Sequence, residues 1–156
     1  MLGSDAVADA PHRAWPIPAR IDGVMLTAGR ALFVGDAAAA TDPMTGEGIA
    51  QALLTGRLAA EVIAATGPSR PGLAAARYER SVRRALVADH RMSALLGRAL
   101  KHRKGARGAV RVAGSSAWTR RNFARWLFED YPRAAVVTPH RWRRGMFTGP
   151  GAFQSG

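Results

Sequence analysis

Leu32-Phe-Val-Gly-Asp-Ala-Ala-Ala-Ala-Thr-Asp-Pro-Met-Thr-Gly-Glu-Gly-Ile49 is the stretch on which the reading of this chain turns. It joins a strand end, a Gly35-Asp36 turn, a small-residue loop and a Gly-x-Gly helix opening. Just upstream, Arg30-Ala-Leu-Phe-Val-Gly35 is the clearest strand, a short apolar run with aromatic and β-branched members. Glycine at position 35 lets the backbone turn sharply and lets a neighbour come close. Downstream, Ile49, Leu53, Leu54, Leu58, Val62 and Ile63 predict a helix over 49–65.

The chemistry available to this stretch follows from its backbone. Asp36, a carboxylate just past a strand end, is placed to accept hydrogen bonds from sugar or ribitol hydroxyls. A helix beginning near Gly46 leaves its first N–H groups without intrahelical partners and carries partial positive charge, so it can receive a delocalised anion. Gly46 and Gly48 remove side chains that would keep a flat ring off that backbone. A reduced flavin, with its charge spread along the N1 and C2 carbonyl edge, is such an anion. As a plain strand-loop-helix connection, the same residues would serve only the turn, with Asp42 and Thr45 as caps.

Outward from this centre, the chain divides by charge. Residues 1–66 carry 4 basic and 7 acidic side chains, whereas residues 67–156 carry 19 and 4, within a total of +12. The first dozen residues, 1–12, read as a loose lead-in. Arg13 to Arg20 holds two prolines and is restricted to an edge strand or an extended segment. A short strand or turn is expected around Asp22-Gly23. Gly67 and Pro71 mark a helix stop and restart. From Leu73 to about Lys104 a long basic helix is expected, with a break near Gly97, followed by a basic connector over 103–108. Ser116 is expected to cap a helix over 117–130, and the last twenty-odd residues to be irregular.

Composition excludes several classes. With 47% hydrophobic and 22% charged residues the chain is no disordered tail. Zero cysteines exclude disulfides, zinc-thiolate sites and thiol nucleophiles. His12, His90, His102 and His140 show no metal-binding spacing, so no metal site is expected; His90 and His102 read as ordinary polar residues on helix faces. No apolar run reads as a membrane span, and the N-terminus lacks the order of a signal peptide, so a cytoplasmic protein is expected.

Gly35-Asp36-Ala-Ala, Asp42-Pro-x-x-Gly-Glu-Gly-Ile49, Ala52-Leu and Gly56-Arg-Leu-Ala-Ala-Glu61 together resemble the second FAD-binding segment of the geranylgeranyl reductase family. That family belongs to the wider flavoprotein group that includes the para-hydroxybenzoate hydroxylase-type monooxygenases. The resemblance covers 13–66 well and 67–156 only as a helical C-terminal region. It implies a FAD site formed by Gly35, Asp36, Ala37, Asp42, Pro43, Gly46, Glu47, Gly48, Ile49 and Ala50. In that site Asp36 would meet the ribityl chain, Pro43 would line the ring, and the amides of Gly48, Ile49 and Ala50 would face N1 and the C2 carbonyl. It further implies NAD(P)H as an electron donor and an unsaturated, apolar or prenyl substrate. Ala39 stands where a hydroxylase more often has His, which favours the reductase branch over a flavin monooxygenase.

Complete members of that family open with a strand and a Gly-x-Gly-x-x-Gly turn for the FAD pyrophosphate. These 156 residues contain neither: Gly46-x-Gly48-x-x-Gln51 lacks the third glycine. The fold class expected is therefore an α/β fragment. A few strands over 13–35, from an incomplete FAD-binding domain spanning 13–66, precede a basic, mainly helical region over 67–156. The expected origin is a split gene, a truncated reading frame or a late start, leaving the isolated chain inactive, in need of a separate N-terminal chain and poorly soluble. No side chain stands out as a catalytic acid or base.

The basic half supports two further accounts. Clustered cations suit nucleic acid, but no recognition motif accompanies them, so a solvated face is the plainer account. Trp118, Phe123, Trp126, Phe128 and Tyr131 beside Arg120, Arg121, Arg125 and Arg133 suit an anionic lipid surface, although packing is the commoner role of such a stripe. A non-catalytic basic module is thus the rival from another class. Arg13 and Trp15 are further candidates for the substrate side of the flavin.

Overall fold

The computed structural model describes residues 16–128 and 131–149, so the lead-in over 1–12, Arg13 and Trp15 lie outside the described residues. The fold is mostly helical, with two short antiparallel strands at the front. Residues 16–20 adopt no regular structure, and Ile21–Gly23 forms a single 3-10 turn where a strand or turn was open. Strand β1 (Thr27–Ala28) pairs with β2 (Ala31–Leu32), Thr27 opposite Leu32 and Ala28 opposite Ala31. Gly29, at φ 56°, takes the left-handed position that this two-residue connection needs. The apolar run 30–35 thus pairs over only two residues. Beyond them the Phe33 N–H donates to the Leu26 carbonyl at 2.9 Å, and the chain then turns at Gly35 into a 3-10 turn ending at Ala38.

Helix α1 (Ile49–Thr66) and helix α2 (Pro71–Leu100) form the body of the fold. The stop and restart signals between them act as expected: the Gly67 amide caps the Ile63 carbonyl at 2.9 Å, and Pro71 occupies the first turn of α2. The inward row of α1 is Thr55, Ala59, Val62 and Thr66, which are small or hydroxyl-bearing. The larger Ile49, Leu53 and Ile63 of the expected apolar face instead stay exposed. Small residues win the inward row because they let α1 approach the larger α2 row of Tyr78, Val82 and Leu86. Ile21, Leu26, Ala38 and Ala40 complete this core. By length and composition alone, α1 is apolar enough to cross a membrane, contrary to the sequence expectation. Its two charges, Arg57 and Glu61, pair one turn apart at 2.6 Å, and its inner row is packed on α2.

Two long-range hydrogen bonds fix the strand exit on this helical pair. The Tyr78 hydroxyl, wholly buried, donates to the Phe33 carbonyl at 2.5 Å. The Thr55 hydroxyl accepts the Gly35 amide at 3.0 Å while donating to the Gln51 carbonyl.

The C-terminal half departs from expectation at two places. Helix α2 runs through Gly97 and ends at Leu100, and the segment taken as a connector is helix α3 (Arg103–Gly114). Gly97 does not break the helix because one glycine costs only about 1 kcal/mol there. Gly105 makes the corner between α2 and α3 possible: a Cβ on it would lie 2.1 Å from the Ala99 carbonyl oxygen. Helix α4 (Ala117–Phe128) begins as expected at Ser116, whose hydroxyl accepts the Thr119 amide at 3.0 Å. The later segment is irregular apart from 3-10 turns at Ala135–Val137 and Pro139–Arg141.

Gly105→Ala is expected to destabilise the fold by about 2 kcal/mol, in the range of overpacked sites. Gly108→Ala on the same helix, where a Cβ meets nothing, should stabilise by about 0.5 kcal/mol. Urea unfolding of both variants followed by helical circular dichroism checks the pair.

Candidate functional site

The loop 39–48 is built around its own polar side chains. Asp36 is exposed, and one of its carboxylate oxygens accepts the Thr41 hydroxyl at 3.0 Å. Gly48 is the N-cap of α1, and a Cβ there would stand 3.0 Å from that hydroxyl and 3.7 Å from the Asp36 carboxylate. Asp36, Thr41 and Gly48 are therefore drawn together at the mouth of α1. Ile49, the first helical residue, is 77% exposed, so its side of the mouth is open. Ala37 is exposed beside Asp36, and Pro43 and Gly46 lie further along the same loop.

Two other residues of the expected site serve the loop itself. The Glu47 carboxylate accepts the Ala50 amide at 2.9 Å, placing a negative group over the first turn of α1. Asp42 is buried: one oxygen accepts the Met44 amide at 2.8 Å, and the other lies 3.0 Å from Arg133 Nε. Burial pushes the Asp42 carboxyl up, but the Met44 amide, Arg133 and the adjacent Ser93 hydroxyl outweigh it and hold it below the usual carboxylate range.

Arg133 is a partner that sequence reasoning placed only on a surface. Its guanidinium also donates to the Trp126 and Leu127 carbonyls at the end of α4 and lies 5.5 Å from the Trp126 ring centre. A second clamp repeats the arrangement. Asp89 accepts the Ala134 amide at 2.9 Å and lies 2.9 Å from Arg141. These two carboxylates bind residues 131–141 back onto α2 and the loop.

Between α1, α2 and this returning segment lies a cleft of about 860 Å³, lined in part by Glu47, Ala50, Leu54, Arg84, His90 and Arg143. His90 is 3% exposed, and neither ring nitrogen has a hydrogen-bond partner among the described residues. It is thus no ordinary polar residue on a helix face, whereas His102 lies exposed in the two-residue link before α3. Burial lowers the His90 pKa, against the opposing pull of Asp42, the Ala40 carbonyl, Asp89 and Asp22. The ring is neutral at pH 7 and can both donate and accept. Gln51 Oε1 on the same cleft is likewise buried without a partner among the described residues.

Chemically, the mouth of α1 offers a hydroxyl-binding carboxylate and first-turn amides, and the cleft adds a buried imidazole. No group of three acidic or histidine side chains suited to a metal ion occurs among the described residues. Thr41 and Gly48 were within reach of sequence reading because they fall inside the loop motif. Arg133 and His90 carried no local signal.

Comparison with known proteins adds no relative. No family model, curated protein or solved structure matches this chain.

Asp42→Asn is expected to cost about 3 kcal/mol, the lower end for breaking a buried pair, because Arg133 keeps its two carbonyl acceptors. A folded-state pKa below the unfolded one means that the pair's contribution is complete above about pH 4 and lost as the pH falls further. His90 works in a different window. Its lowered pKa makes the unfolded state the better proton acceptor, so stability should fall by up to about 1.4 kcal/mol per pH unit on acidification below about 6.5. Urea titrations between pH 7.5 and 5 should show this slope in the parent chain and its loss in His90→Gln.

Proposed function

We propose that this chain contributes the ring-binding half of a FAD-dependent oxidoreductase site of the geranylgeranyl reductase type. The observation that supports the reading is the convergence of Asp36, Thr41 and Gly48 at an open helix mouth. Asp36 accepts from a ribityl hydroxyl, since only one of its oxygens is occupied by Thr41. First-turn amides at Gly48 and Ile49 face the electron-rich ring edge. Ala50 joins them once the Glu47 carboxylate swings away, so Glu47 holds the anion's place in its absence. Asp42 acts from behind by keeping the loop in shape.

Bound there, the flavin supplies hydride transfer from NAD(P)H to an unsaturated, apolar acceptor. The pyrophosphate-binding Gly-x-Gly-x-x-Gly half comes from a segment outside these 156 residues. The exposed Ile49 and Leu53 in the first turns of α1, next to the mouth, suit the apolar flank of such a segment.

Titration with FAD, with riboflavin, which keeps the ring and ribityl chain but lacks the pyrophosphate and adenosine, as competitor, tests the reading. Flavin fluorescence should change on binding, and riboflavin should displace FAD. Gly48→Val, whose side chain would collide with Thr41, should weaken binding at least about tenfold, the effect of about 1.4 kcal/mol. Equal titrations for the parent and the variant would end the proposal.

A further inference from the structure

From His90 to Phe128 the chain holds ten lysines and arginines and no acidic residue. The middle of that stretch is α3, which has no buried residue. Its half-buried side is Ala106, Ala109 and Ala113, positions that recur every three or four residues and so share one face. The remaining face holds Arg103, Lys104, Arg107 and Arg111, all exposed. Among the described residues no carboxylate pairs with these four or with Lys101.

Apolar side chains stand among these cations where neither α2 nor α4 covers them. Val110 is 72% exposed, Val112 67% and Trp118 51%, and Leu100 at the corner before α3 is also exposed. Cations alone would suit any polyanion. Exposed aliphatic side chains gain nothing beside a phosphate backbone, whereas they and the Trp118 indole, which could also stack on a base, gain from entering the headgroup layer of a bilayer. We infer that the face formed by the end of α2, α3 and the start of α4 is a docking surface for an anionic lipid bilayer. Lysines and arginines meet the headgroups, and Leu100, Val110 and Trp118 enter the interface.

The charge on this face is uncompensated, so attachment is salt-sensitive. None of these residues belongs to the mouth of α1, so failure of this surface would leave the flavin reading untouched. Since α3 has no buried residue, its exposed side chains can be exchanged with little effect on the core.

The full chain is sedimented with vesicles of phosphatidylcholine alone and with vesicles enriched in phosphatidylglycerol. Binding only to the anionic vesicles, weakened by salt, is the expected result. Arg107→Gln and Arg111→Gln should each weaken it about fivefold, the factor for loss of one cation near a charged membrane. Val110→Asp should weaken it further, with unchanged helical circular dichroism in every variant. In Trp118→Phe, the blue shift of tryptophan emission on vesicle addition should shrink. Equal partition to both vesicle types, or no partition, would overturn the inference. So would tighter binding to a DNA or RNA oligonucleotide that depends on Arg107 and Arg111 but not on Val110.

Discussion

The buried contact between Asp42 and Arg133 joins parts of the chain 91 residues apart, and both the small-residue loop and the end of α4 are tied to it. A carboxylate taken out of water must be compensated on both oxygens. Asp42 meets that demand with the Met44 amide on one oxygen and the guanidinium on the other. Arg133 in turn ties off carbonyls at the end of α4, where a helix leaves them unsatisfied. One ion pair therefore fixes the shape of the small-residue loop, terminates a distant helix and closes one wall of the cleft. The loop's tight form, with Thr41 against Asp36 and little room for a side chain at Gly48, sits beside that anchor.

The polar wall of the cleft is unusual for an interior. His90 and Gln51 present buried polar atoms to one space without partners among the described residues. Such groups are normally satisfied. Their gathering beside the mouth of α1 is consistent with a site that a bound molecule or ordered water completes. The α1–α2 pair, by contrast, is conventional packing of a small row against a large one.

Local signals carried much of this architecture into the sequence. Gly67, Pro71 and Ser116 placed helix boundaries because capping acts over a few residues, and the structure agrees at each. The Gly-Asp turn and Gly-x-Gly opening located the loop for the same reason. Of the apolar positions expected on α1, Val62 is buried and Leu54 and Leu58 pack against the core, whereas Ile49, Leu53 and Ile63 stay exposed because tertiary fit selects Thr55 and Ala59. Helix α3 was missed because its glycines and arginines read as a linker; neighbouring helices, not its own composition, hold its alanine side. Asp42 was legible as a cap, which the Met44 amide bears out, but its pairing with Arg133 and the burial of His90 were not. The pairing spans 91 residues, and no spacing rule reaches that far.

That return has a consequence for how the molecule breathes. The strap comprising 131–141 is held largely by two arginine clamps and a few amide contacts, while α1 and α2 share a continuous apolar seam. Local opening needs only the contacts that cross the moving boundary to be lost. The strap can leave the helical pair only if both arginine pairs break and the wholly buried Ala134 is exposed, so these few contacts set how readily that wall of the cleft opens.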